Sequence, residues 1–253
     1  MSTLVSNGSS SKSKGVTIRS FVTADEMRVC VDLQKSVWGF SDVDVVPHRM
    51  FVVAHRTGGQ VMGAFDGDRV IGFALAFMAH RDGEMYMHSH MAAVLPEYQN
   101  KGIGRKLKLV QRDDALEHGI DLIEWTFDPL QTRNAHFNIA RLGAIVREYL
   151  PNVYGRTTSP LHHGLPTDRL VAHWRIRELK TKQAAGHTIA SRAGTKQILV
   201  PTNFFEISAR NPGRAKELQS EIRHQFEELF KQGFVVTGFE VDAQSGKYLL
   251  QKI

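Results

Sequence analysis

One cysteine, Cys30, stands among 253 residues. A lone thiol closes no disulfide within the chain, which excludes a stapled secreted scaffold and points to a reducing, cytoplasmic setting. No apolar run approaches the ~20 residues that a membrane-spanning helix needs. The opening "MSTLVSNGSSSKSKG" lacks the apolar core of a signal peptide and reads as a disordered tail, residues 1–15. His162 and His163 in "PLHHGLP" have no partner ligands at regular spacing, so no metal is expected. Lys and Arg exceed Asp and Glu by 32 to 26. The basic residues form no long run, so a nucleic-acid partner is disfavoured, while a pocket for a phosphorylated small molecule and plain solvation both stay open.

The remaining composition, 42% hydrophobic and 23% charged, is that of a globular chain. Val16 to Val22 reads as a strand. Thr23 and Glu26 form a capping-box pattern ahead of a helix that should stop near Gly39. Pro47 to His55 suggests a second, short helix. Gln60–Phe65, Arg69–His80 and Glu84–Leu95 alternate as strands, separated by "DGDR" and "RDGE", whose Asp-Gly pairs favour tight hairpins. After Gly104 the period becomes helical, with Leu107, Val110, Ala115 and Leu116 on one face and Gly119 as the stop. "DLIEWTF" is strand-like, "TRNAHFNIARLGA" helical, and 144–150 and 170–176 strand-like again. Residues 180–197 read as a linker or exposed excursion. An amphipathic helix over 214–231 and the runs "GFVVTGFEV" and "GKYLLQ", an expected hairpin, suggest a small α+β subdomain at 198–253 that docks on the core or on a second copy, as in a homodimer.

The stretch "LPEYQNKGIGRKLKLV" puts two glycines at the entry of a helix directly after a strand. The first N–H groups of a helix lack internal partners and carry the positive end of its dipole. Gly102 and Gly104 let an anion approach them, and Lys101 and Arg105 add charge. The turn is suited to phosphate. It is not a Walker A loop, which ends in Gly-Lys-Ser/Thr, nor a dinucleotide fingerprint, whose third glycine would fall on Leu107.

Gln99-Asn100-Lys101-Gly102-Ile103-Gly104 resembles the Gln/Arg-x-x-Gly-x-Gly/Ala signature of the GNAT superfamily of N-acetyltransferases. The preceding "AAVLPEY" is similar to that family's strand end, and "TRNAHFNIARLGA" to its second motif, a helix ending in Leu-Gly. The element order from Val16 to Ile176 fits as well. The resemblance implies an α+β (α/β) fold over 16–179: a mixed, mostly antiparallel sheet splayed at the CoA site and flanked by helices, followed by the C-terminal α+β extension.

The resemblance further implies an acyl-CoA-dependent N-acyltransferase, with acetyl-CoA or another acyl-CoA as co-substrate and a small-molecule amine or amino acid as acceptor. Transfer of succinyl or another acyl group, and a degenerate domain that only senses acyl-CoA, are the alternatives. In the resemblance, the loop Gln99, Asn100, Lys101, Gly102, Ile103, Gly104 with Arg105 holds the pyrophosphate, and backbone groups of Ala92 and Val94 pair with the pantetheine. Asn134 either bonds that arm or caps its helix.

Strand alternation places His88 and His90 on one face, with His88 the expected base and His90 second, or both structural. The position where the family often carries an acidic Tyr is Ile139, aligned on Leu142-Gly143. Tyr149 and Tyr154 follow it, and Tyr154 is the candidate acid. Trp38 lies where the acceptor pocket is usually shaped. Arg133, His136, Arg141 and Arg156 stand near the expected cleft, as carboxylate ligands or as solvated surface.

Overall fold

The computed structural model describes residues 15–155, 163–177 and 194–253. Most of the expected tail and excursion, with Arg156 and His162, lie outside the described residues.

Strand β1 (Thr17–Ser20) leads into the capping box. The Thr23 hydroxyl accepts from the Glu26 N–H at 3.2 Å, and the Glu26 carboxylate accepts from the Val22 N–H at 2.7 Å and from Arg19. The expected helix thus begins as one tight turn, Glu26–Arg28, and widens into α1 (Val29–Trp38), which ends on left-handed Gly39 at φ 65°. Next come α2 (His48–Arg56) and the meander β2 (Gln60–Asp66), β3 (Arg69–Arg81) and β4 (Glu84–Val94). Helix α3 (Ile103–Glu117) returns the chain so that β5 (Leu122–Phe127) runs parallel to β4. Helix α4 starts at Thr132–Ala135 and continues as a wider π turn, His136–Arg141, into β6 (Ile145–Leu150) and β7 (Arg169–Arg175). The chain ends with β8 (Lys196–Pro201), α5 (Phe204–Arg210), α6 (Pro212–Lys231), β9 (Phe234–Val241) and β10 (Ser245–Lys252).

All the described strands join one sheet in the order β1-β2-β3-β4-β5-β7-β6-β9-β10-β8. Every pairing is antiparallel except β4–β5. The hairpin expected at the end of the chain is β9–β10, and it continues the sheet through β6 rather than forming a sheet of its own. Its outer strand, β8, begins inside the segment read as a linker. The apolar run "ILV" is too short to stand out from polar neighbours in the sequence.

Two apolar clusters hold the sheet. Phe21, Phe51, Ile71, Phe73 and Leu107 gather beneath β1–β4, while Val146, Trp174, Ile222, Phe226 and Tyr248 gather beneath β5–β10. Helix α6 packs into the second through Ile222 and Phe226, so the C-terminal segment shares its core with the strands before it. Among the described residues, no helix is long and apolar enough to cross a membrane.

Candidate active site

Strands β4 and β5 pair only at Met87↔Ile123 and His88↔Glu124. Beyond that point they part, and the gap opens into a cavity of about 420 Å³. Ser89 to Ala92 of β4 and Trp125 to Asp128 of β5 form its walls, and Phe137 and Asn138 of α4 close one side. Trp38, Phe40 and Asp44, from α1 and the segment leading to α2, shape its mouth. The mouth thus carries the tryptophan that the sequence pointed to. A second depression, between Arg28, Asp32 and Pro47, is more open and lies off this seam.

A β-bulge lies at the head of the cleft. The β3–β4 register runs Leu75↔Met91 and then Ala76↔Ser89, which leaves His90 as the extra residue. Simple alternation cannot anticipate that slip. The rings of His88 and His90 lie 6.1 Å apart, and His90 meets Phe77 edge-on at 5.7 Å. His90 lines the cleft, whereas His88 lies at its closed end, opposite Glu124, and is not part of the lining. Burial lowers the pKa of both. At His88 the Glu124 carboxylate opposes that shift, while Lys108 and Arg81 add to it; at His90 the neighbouring His88 adds to it. Burial also pushes the Glu124 carboxyl up, but His173 at 2.8 Å and Arg81 at 2.5 Å outweigh it and hold the group below its ordinary value.

The closed end also holds a lysine. Lys108, one turn into α3, is 5% exposed. Its Nζ donates to Ser89 Oγ at 2.7 Å and sits 4.0 Å over the Trp125 ring. Ser89 Oγ donates onward to Gln111 Oε1 at 3.1 Å. Among the described residues no carboxylate pairs with this ammonium, and burial alone brings its pKa down to about 7. Just beyond the end of β5, on the parted side, burial raises the Asp128 carboxyl, although it accepts the Leu130 N–H at 2.8 Å.

At the other end of the cleft, the phosphate-suited turn takes the shape its glycines suggest. Gly102 caps α3 in the left-handed region at φ 79°, next to Asn100 at φ 61°. A side chain built on Gly104 would meet no protein atom within 4 Å, so packing does not demand a glycine there. The space over the first turn is open to a ligand, and the residues fit a pyrophosphate on those grounds. Lys101 reaches back over the Tyr98 ring, 5.1 Å from its centre, and Arg105 is exposed. Gln99 Nε2 donates to the Val94 carbonyl at 3.0 Å, and Arg133 donates to Asn100 Oδ1 at 2.8 Å. Of the two backbone positions expected to face pantetheine, Ala92 lines the cleft, while Val94 has its carbonyl occupied by Gln99. Ile103 is buried in the first core.

Asn134 lines the cleft and donates to Gln131 Oε1 at 2.8 Å. The π turn beyond it brings Phe137 and Asn138 to the cleft and buries Ile139 in the second core. Tyr149 is spoken for: its hydroxyl donates to Asp168 at 2.6 Å inside the core, and burial pushes its pKa far up. Tyr154 reaches the cleft, with its hydroxyl 3.0 Å from Thr126 Oγ1. Arg133 is drawn to the loop, His136 and Arg141 do not line the cleft, and His163 packs on Phe205. Among the described residues no group of His, Cys, Asp and Glu could hold a metal ion.

A sheet parted between two parallel strands, with a glycine-opened helix start beside the gap, has room for a phosphate-bearing co-substrate. Residues 27–143 match the model of the acetyltransferase (GNAT) family, a match that supports an acyltransferase. Solved structures share the fold. The ribosomal-protein-S18-alanine N-acetyltransferase of Escherichia coli is 17% identical, covering 64% of this chain and 94% of its own, with a TM-score of 0.51. Ard1 of Thermoplasma volcanium is 15% identical over 62% and 95%, with a TM-score of 0.50. FeeM, an N-acyl amino acid synthase from uncultured soil microbes, is 12% identical over 69% and 99%, with a TM-score of 0.52. No curated protein matches the chain.

The sequence reading missed Lys108, Ser89, Trp125 and Asp128. For Lys108 a signal existed: it falls among Ile103, Leu107, Gln111 and Ala115, the buried face of α3, where an unpaired lysine is out of place.

Proposed function

We propose that the protein transfers an acyl group from an acyl-CoA thioester, acetyl-CoA being the simplest, to the primary amine of a small molecule or amino acid. One observation carries the reading: the parting of β4 from β5 beside the open first turn of α3. The thioester supplies an activated carbonyl for direct attack by the amine. N–H groups at Gly102–Gly104 hold its pyrophosphate, with Lys101 and Arg105 adding charge. The edge of β4 around Ala92 and the side chain of Asn134 border the pantetheine arm. Trp38 and Phe40 at the mouth wall the acceptor. The amine reacts only when neutral, and His90 is the better placed of the two histidines to remove its proton, since it lines the cleft and His88 does not.

Acetyl-CoA should raise the melting temperature progressively, with the logarithm of its concentration above Kd, as mass action requires of a ligand of the native state. Gly102→Trp should abolish the shift, because its backbone is left-handed and the ring would fill the first turn. A shift that persists in this variant would place the pyrophosphate elsewhere. The buried Ile139 favours a second reading, a domain that binds acyl-CoA without turnover. Release of CoA thiol in the presence of a panel of amines separates the two.

A further inference from the structure

The acyl-transfer reading leaves the thiolate of departing CoA without an obvious proton donor. Ile139 is apolar and buried, Tyr149 is locked to Asp168, and Tyr154 sits at the outer rim, 48% exposed, against Thr126. We propose that Lys108 gives the proton to the sulfur as the C–S bond breaks. The proposal rests on the acyl-CoA reading.

Its ground is position. The cleft runs from the phosphate-suited turn to the point where β4 and β5 pair, and Lys108 lines it just short of that point, with its Nζ between Ser89 and Trp125. From Val94 to Ser89 the strand spans roughly 17 Å at ~3.3 Å per residue, the order of an extended pantetheine arm. A thioester tethered at the turn and lying along β4 therefore ends near Lys108. Ser89 accepts one N–H of the ammonium and donates its own hydrogen bond to Gln111, which fixes the direction of the bond, while the ammonium rests over Trp125 at the lining of the cleft.

The charged groups around it leave this proton available. His88 and His90 on β4 are neutral-leaning through burial, and Glu124 on β5 is held by Arg81 and His173. Asp128, further along β5, leans toward its protonated form. Without a carboxylate partner the ammonium is an acid of about pKa 7, stronger than an ordinary thiol at about 8.5, so the transfer to sulfur runs downhill. The balance closes: the amine nitrogen bonds to the carbonyl carbon, the C–S bond breaks, and sulfur takes a proton from Lys108. The proton that the amine sheds then restores the ammonium by way of water.

The test follows CoA release from acetyl-CoA and amines against pH, in wild type, Lys108→Met and Lys108→Arg. The lysine can give a proton only while charged, so wild-type kcat should fall as pH rises above about 7. Lys108→Met should lose that alkaline limb and release CoA at least about 100-fold more slowly. Lys108→Arg should not rescue it, because arginine keeps its charge but does not give up its proton. A wild-type kcat with no alkaline limb overturns the proposal, and that measurement needs no variant to fold. So does unchanged turnover in Lys108→Arg. If acetyl-CoA gives wild type no melting shift, the acyl-CoA reading itself fails, a separate result from bound acetyl-CoA turned over without that limb.

Discussion

Lys108 should be measurable as a cost to the fold. Its pKa falls from 10.5 to about 7 on folding, so between these values the unfolded chain binds the extra proton. Stability must therefore rise as pH climbs from about 7 toward 10.5, and the full penalty applies below about 7. That penalty is on the order of a few kcal/mol at 1.36 kcal/mol per unit. Lys108→Met should be more stable than wild type at pH 6, with the gap closing by about pH 10 in paired urea melts. A gap that does not change with pH would mean that the lysine is hydrated. For His90, the same burial lowers the pKa, so turnover should fall as pH drops through a value below 6.5. His90→Ala should lose about 10²–10⁴-fold in kcat, the usual contribution of a positioned base. Near-normal kcat with an unchanged acid limb would return the role to His88 or to water.

At the scale of elements, the C-terminal hairpin braces the wall of the cleft. The Tyr248 hydroxyl on β10 donates to the Pro129 carbonyl at 2.7 Å, where β5 turns toward α4. A side chain on Gly246 would strike Phe239 at 2.5 Å and Thr132, at the start of α4, at 2.8 Å. Tyr248→Phe strands a buried carbonyl and should cost about 1–3 kcal/mol in denaturant melts; a loss near zero would mean that water replaces the phenol. The elements most legible in the sequence were those fixed locally: the capping box of Thr23 and Glu26, the Asp-Gly turns of the meander, and the glycine entry to α3. The bulge at His90 and the π turn at His136–Arg141 were not legible, because each adds a residue without altering the apolar pattern around it. The bulge decides which histidine lines the cleft, and the π turn decides which residues of α4 do. The site residues least visible in the sequence are thus those set by small breaks in regular geometry.

At the scale of the molecule, the described strands make one sheet over two cores. Arg223 on α6 grips the buried Asp168 through two bonds of 2.9 Å, and Gln219 reaches the Pro166 carbonyl at 2.8 Å. Ending the chain at residue 197 would strip that grip and uncover Val146 and Tyr149. The truncated protein should sediment as aggregate or lose its cooperative melting transition. A soluble, sharply melting fragment would show that the last strands are an ornament.

The two register pairs that join β4 to β5 also make a mechanical fault line. The two clusters follow the halves except at Ala76 of β3 and Met87 of β4, which join the second, and little backbone bonding ties one half to the other at the cleft. A ligand laid in that opening would act as a stitch. Without it, the halves should open independently, and amide hydrogens of β5 and of residues 89–92 should exchange with solvent at unrelated rates. With acetyl-CoA bound, the two sets should slow together, and unfolding should become a single event. The gap that admits a substrate would then also govern whether the protein comes apart in two steps or one.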